Sequence, residues 1–337
     1  MAVSLRLAVG KDSVYSPDSE DLDQRRQAQI SLSREGNMSM WQRCFKRPAA
    51  TDYHPEDCLG SGDGAPVQLT YLGTAGFVLQ GYERTLVLDP YLSRISPWPL
   101  LTAPLRADAA RLARYIPVAD DVLVGHAHYD HVLDAPCLCQ QTGARLIGSS
   151  ATVMVGRAAG LPESQMLATR GDEDIACGLW RVRGLPSRHG RVFGRIPFPG
   201  DISEPPAWPP RLHTLRHGLV LNWAVEVAGL RILHVDSADY IEASLQGQRA
   251  DILCLCAVGR QSRPDYTRAI IERVRPRWVI PCHWDTMMTP LESPPDLIPG
   301  VDLPGFLEEI RQAGAEPLLL PLLGRMRFRP AVESGRV

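Results

Sequence analysis

The run VLVGHAHYDHVLDAP, Val122–Pro136, places three of the chain's nine histidines and an aspartate within residues 126–131. The apolar DVLVG at its start has the texture of a buried strand, so His126, His128, Asp130 and His131 fall on a loop at that strand's carboxyl end. His126 and His128 are two apart, and in an extended segment their rings project to the same side. Asp130 and His131 follow once the chain turns. One loop can therefore feed two adjacent cations. Imidazole and carboxylate together suit borderline divalent metals such as Zn, Mn and Fe without selecting among them. Four candidate ligands packed this closely behind a buried strand argue against a merely solvated loop.

The rest of the chain is compatible with a globular enzyme. Its 337 residues can bury a substantial core without staples. A charged fraction of 22% and a net charge of −2 fit a folded, soluble protein and exclude a disordered or nucleic-acid-coating chain. Eight cysteines without a CxxC pair read as free, mostly buried thiols. There is no apolar leader and no uninterrupted apolar run of roughly 18 residues, so a cytoplasmic protein without a transmembrane segment is expected. Residues 1–60 are polar and aperiodic, as in a tail or docked arm; 61–330 form the expected domain and 331–337 a short C-terminal tail.

VQLTYLG, AGFVLQG and RTLVLDP read as an antiparallel meander, LRADAARLARYI as a helix, and the segment after Asp134 as a helix to about Gln141, with Asp134 as its N-cap. The later segments LVLNWAVEVAG, LRILHVD, ADILCLCAV and RWVIPCH read as strands, PDYTRAIIERVR and LPGFLEEIRQAG as helices, and EPLLLPL and RMRFRP as closing strands. Two halves, each a meander followed by β/α units, predict an α/β fold with two sheets face to face and helices outside. Between Phe193 and Thr214 the pattern breaks into six prolines, a loop long enough to cover a site.

HAHYDH resembles the HxHxDH signature of the metallo-β-lactamase superfamily, and YLGTAGFVLQGYERTLVLDPYLS resembles that superfamily's opening strands. The resemblance runs from about Val67 to Leu323 and implies a four-layer αββα sandwich of two mixed sheets. It also implies a histidine after the middle strands, a carboxylate ending a later strand and a last histidine after another. PSRHG, LHVDSADY and IPCHWDT supply these as His189, Asp236 and His283. On that pattern His126, His128 and His189 hold one ion, while Asp130, His131 and His283 hold a second, with Asp236 bridging and Asp89 supporting a ligand from outside. The chain has Asp236-Ser237-Ala238 where the family commonly has Gly-Asp-Thr, so Ser237 competes with Asp236 for the bridging position.

The style of these motifs is similar to the branch with N-acyl-phosphatidylethanolamine phospholipase D and the ascorbate-phosphate lactonases. The expected activity is hydrolysis of a phosphodiester, ester or lactone bond in a small or lipid-like substrate by a metal-activated water. One or two divalent ions, Zn foremost, would serve as cofactor, and Asp130 would also handle a proton. A metal-binding regulator without turnover and a nuclease are the competing readings; overall neutrality argues against polyanion binding. Tyr129, Tyr240 and His217 are candidate substrate contacts. So are Arg188 and Arg191, members of an arginine cluster with Arg181, Arg183 and Arg195 around His189.

Overall fold

A computed structural model describes residues 47–330. Its strands are β1 (Cys58–Leu59), β2 (Val67–Gly73), β3 (Gly76–Gly81), β4 (Arg84–Leu88), β5 (Asp121–Leu123), β6 (Arg145–Gly148), β7 (Met166–Ala168), β8 (Asp174–Cys177), β9 (Trp180–Ser187), β10 (Val220–Val227), β11 (Leu230–Val235), β12 (Ile252–Cys256), β13 (Trp278–Cys282), β14 (Glu316–Pro317) and β15 (Arg325–Phe328). They make two mixed sheets, ordered β1-β15-β2-β3-β4-β5-β6-β7 and β14-β13-β12-β11-β10-β9-β8. The helices are α1 (Pro97–Thr102), α2 (Ala109–Tyr115), α3 (Tyr129–Val132), α4 (Ala135–Thr142), α5 (Ser150–Ala158), α6 (Tyr266–Val274) and α7 (Leu303–Gln312). α4 and α5 lie on the first sheet, and α7, packed on α6, touches the second, which gives the expected αββα layers.

Strand periodicity explains the layering. Along β3 and β4, Phe77, Leu79, Leu86 and Leu88 enter the core shared with Trp223, Val225 and Leu253 of the other sheet. The intervening Val78 and Val87 join Leu112, Leu138 and Val155 beneath the helices. Both faces are thus covered, and strands such as β12 and β13 are apolar throughout, as parallel inner strands require. α6 buries Tyr266, Ile270, Ile271 and Val274 on one stripe, and α7 buries Leu303, Phe306 and Ile310. Asp302 caps α7 by accepting from Gly305 N at 3.0 Å.

Three local expectations change. β15 crosses back to the first sheet, where it pairs antiparallel with β2 and parallel with β1, so Cys58–Leu59 of the expected tail belongs to the sheet. EPLLLPL keeps only the two-residue β14. Asp134 makes no side-chain cap, because its buried carboxylate accepts from Leu92 N, Ser93 N and Ser93 Oγ at 2.5–2.9 Å. Among the described residues all cysteines are free, five of them buried, and no helix is long and apolar enough to cross a membrane. Residues 1–46 of the expected N-terminal arm and the C-terminal tail at 331–337 lie outside the described residues.

Candidate metal centre

Every chemistry-bearing residue sits just past the carboxyl end of a strand: Asp89 after β4, residues 126–131 after β5, His189 after β9, Asp236 after β11 and His283 after β13; the loop expected at 126–131 turns into α3 at Tyr129, so Asp130 and His131 are helical. Parallel pairing of β4 with β5, of β11 with β12 and of β12 with β13 brings these ends to one edge of the sandwich. That is where open α/β sheets place ligands. Three groups result, each with its nitrogen or carboxylate atoms within 4.8 Å of one another: His126, His128 and His189; Asp130, His131 and His283; and His126, His131 and Asp236.

The hydrogen bonds orient the rings. His126 Nδ1 donates to Asp236 Oδ2 at 2.6 Å, leaving Nε2 facing His128 Nδ1 at 3.0 Å. His189 Nδ1 donates to Gly190 O at 2.6 Å. His131 Nδ1 lies 3.1 Å from Asp89 Oδ2, which turns its Nε2 toward Asp130 Oδ2 at 3.5 Å; His283 Nε2 reaches the same oxygen at 3.2 Å. Asp236 Oδ2 also approaches His131 Nδ1 at 3.7 Å, so this carboxylate touches one imidazole of each triad. Ser237 is turned away from them, its Oγ accepting from Gly190 N at 2.9 Å. Backbone geometry contributes as well, since His283 has φ 54° and its N donates to Thr74 O at 2.5 Å.

Burial pushes His128 down to about 3, His189 to about 4 and His126 well below the ordinary imidazole range, so their nitrogens present lone pairs. Burial also opposes charge on His131, but Asp130 and Asp89 outweigh it and raise that ring to about 9. Asp130 would rise by burial, yet His131 and His283 hold it well below the carboxylate range. Three buried carboxylates, Asp89, Asp130 and Asp236, thus surround the imidazoles, and His128 Nε2 and Asp236 Oδ1 have no hydrogen-bond partner. Lone-pair nitrogens, excess buried negative charge and unpartnered donor atoms fit a divalent cation.

Sequence reasoning missed four supports. Asp89 Oδ1 accepts from Gly125 N at 2.7 Å, and His234, bonded to Ala75 O at 2.9 Å, stands 3.9 Å from Asp89 Oδ2. A Cβ on Gly125 would come within 2.2 Å of Asp236 Oδ2, so only glycine leaves that carboxylate room. Asp285 and Arg94 form a buried pair behind His283 at 2.6 Å. The motif HWDT contained Asp285, but nothing local marks what a carboxylate faces. We expect Gly125→Ala to fold and to lose metal affinity by roughly 10–100-fold, the cost of disturbing an outer partner; titration with Zn or Mn checks this, and unchanged affinity would refute the packing account.

A cavity of about 780 Å³ opens over the centre, lined by His126, His128, Asp130, His131, His189, Asp236 and His283 and walled by Tyr129 and apolar side chains. The proline-rich loop supplies part of that wall through Phe193, Pro197 and Phe198. His217 stacks 5.8 Å from His189 beside it. Arg188, Arg191 and Tyr240 do not line the cavity; Tyr240 is buried under the Arg263 guanidinium.

The family profile described as Beta-lactamase superfamily domain matches residues 68–283. The chain belongs to the beta-lactamase superfamily. Among the relatives of this superfamily member is a UPF0173 metal-dependent hydrolase of Anaeromyxobacter sp. (strain K), 28% identical over 248 residues, 68% of this chain and 79% of that protein. Another, from Symbiobacterium thermophilum, is 26% identical over 262 residues, 75% and 96% of the two chains. Among solved structures, Igni18, a metallo hydrolase from Ignicoccus hospitalis, superposes with a TM-score of 0.56 at 16% identity, covering 79% of this chain and 99% of that one. The isothiocyanate hydrolase from Delia radicum gut bacteria gives 0.51 at 15% identity, covering 78% and 99%. These structural likenesses show that the fold is shared.

Proposed function

We propose that this chain, a metal-dependent hydrolase of the beta-lactamase superfamily, cleaves a phosphodiester, ester or lactone bond of a small or lipid-like molecule at the centre described above. The observation that carries the reading is the pair of triads joined by one carboxylate, Asp236, which approaches His126 and His131 alike. His126, His128 and His189 would hold one divalent ion, and Asp130, His131 and His283 a second, with Asp236 between; zinc suits this donor set. When bound, such ions lower the pKa of a water and neutralise charge developing on the attacked group.

The protein's own groups do the rest. Asp236 would take the Nδ1 proton of His126, and the Asp89 carboxylate, 3.1 Å from His131 Nδ1, would attract that side of the second ring, so that each fixes which nitrogen faces inward. Asp130, which lines the cavity 3.2 Å from His283, would in this reading pass on a proton from the water, its neighbours His131 and His283 keeping it ionised between turnovers. The apolar walls keep bulk water from the reacting bond.

Stripping the purified protein with a chelator should lower its melting temperature and abolish hydrolysis of generic 4-nitrophenyl esters, bis(4-nitrophenyl) phosphate and lactones. Adding Zn or Mn at about 100 times its Kd should return roughly 2.7 kcal/mol of stability, together with activity toward one of those bonds. Full metal loading with no cleavage of any of them would leave a binding protein and sink the hydrolase assignment.

A further inference from the structure

Resting on the hydrolase reading, we propose that the cavity selects a substrate carrying an apolar chain and one anionic group, the chain lying against Leu101, Phe193, Phe198 and Met287 and the anion meeting Arg195. Beyond the histidines and aspartates of the centre, the lining is almost wholly apolar, and Arg195 is its one charged side chain among the described residues. About 780 Å³ is the volume of a pocket for a molecule of drug-like size rather than for a small ion.

The backbone shows that the aromatic wall is held there against local preference. Phe193 and Gly194 are the central residues of a two-residue turn closed by paired hydrogen bonds between Val192 and Arg195, and both have positive φ, 51° and 78°. Asn-Gly is the ordinary occupant of such a turn; a bulky aromatic at its first position is disfavoured. Phe198 is likewise at φ 37°. Both rings nevertheless line the cavity, where Phe193 is 76% exposed and Leu101, another lining residue, 71%. Strained backbone combined with exposed apolar surface is the mark of a side chain kept for a ligand. Met287 and Met288 add a deformable side to the same wall.

Charge narrows the choice among the arginines. Arg181 and Arg183 are paired with Glu226 and Asp174, and Arg188 and Arg191 do not line the cavity. Arg195 lines it, is exposed, and has no ion-pair partner among the described residues. Its place on the turn that carries Phe193 puts the anion at the far end of the chain from the scissile bond.

Two measurements on the metal-loaded full chain test this. With 4-nitrophenyl esters of four to eight carbons, kcat/KM should climb about fourfold per methylene, and Phe193→Ser should flatten the climb. Arg195→Gln should cost roughly two- to fivefold more against esters ending in a carboxylate than against neutral esters of the same length. Separately, 8-anilinonaphthalene-1-sulfonate should bind saturably and be weakened by both substitutions. Saturation below the ester's aggregation threshold assigns the free molecule, and activity only above it assigns a lipid surface; both keep the cavity assignment. Probe binding with these sensitivities but no cleavage of any ester, phosphodiester or lactone would defeat the hydrolase reading and leave this one standing. Cleavage independent of chain length, with both substitutions silent, would overturn the assignment while the hydrolase reading survives.

Discussion

His126→Ala should yield a folded chain that has lost metal-dependent turnover. His126 belongs to two of the three ligand groups, sharing one with His128 and His189 and the other with His131 and Asp236. Its loss opens the first triad and also deprives Asp236 Oδ2 of its closest partner, at 2.6 Å. The fall in kcat/KM should exceed the roughly 100-fold ceiling of a change to an outer partner, whereas Asp89→Asn should stay beneath that ceiling. Metal content per chain and far-ultraviolet circular dichroism separate a lost ligand from a lost fold: the first should drop and the second hold. Turnover equal to that of the parent would remove His126 from the centre.

Asp285→Ala should damage the fold itself. The Asp285 and Arg94 side chains are fully buried, with Oδ2 accepting from Arg94 Nη2 at 2.6 Å. Oδ1 accepts from Tyr71 O–H at 2.7 Å and Thr74 N at 2.8 Å, and burial together with Asp285 pushes the Tyr71 phenol well up, so it stays a donor. Arg94 further donates to Thr286 O and Thr289 O. Gly73, at φ 89°, has no room for a Cβ against Arg94. Alanine at 285 strands the guanidinium without a countercharge, a cost of about 3–5 kcal/mol, or roughly 4–7 °C of melting temperature in a chain of this size. Because Thr74 also holds His283 N, metal bound at the Asp130 triad should weaken too. The double change Arg94→Leu with Asp285→Leu should recover part of the loss, since no lone buried charge remains. A single variant within 1 kcal/mol of the parent, measured by denaturant unfolding, would contradict this account.

Much of the centre was legible because its densest part is contiguous. His126, His128, Asp130 and His131 lie within six residues that run from the end of β5 into α3, and a continuous apolar run before them marks the buried strand that carries them. His189, Asp236 and His283 were reached through motif order; in the structure Asp236 Oδ2 meets His126 Nδ1, while Ser237 Oγ accepts from Gly190 N. Asp89 was marked by its position in LDP. Asp134 went astray for a physical reason: before a helix, an aspartate reads as a cap, but here the amides of Leu92 and Ser93 compete for it and win by being buried alongside.

The sequence by itself determined the elements, the two-sheet class and the donor atoms of one loop, since spacing along the chain is enough to set strand faces and helix stripes. Only the tertiary structure decided that β15 returns to the first sheet, that Asp285 faces Arg94, and that Phe193, Phe198, Leu101 and Met287 share one wall. Those outcomes depend on contacts between segments tens to hundreds of residues apart. Their energies come from the whole set of strand pairings and buried charges at once, and no local window contains them.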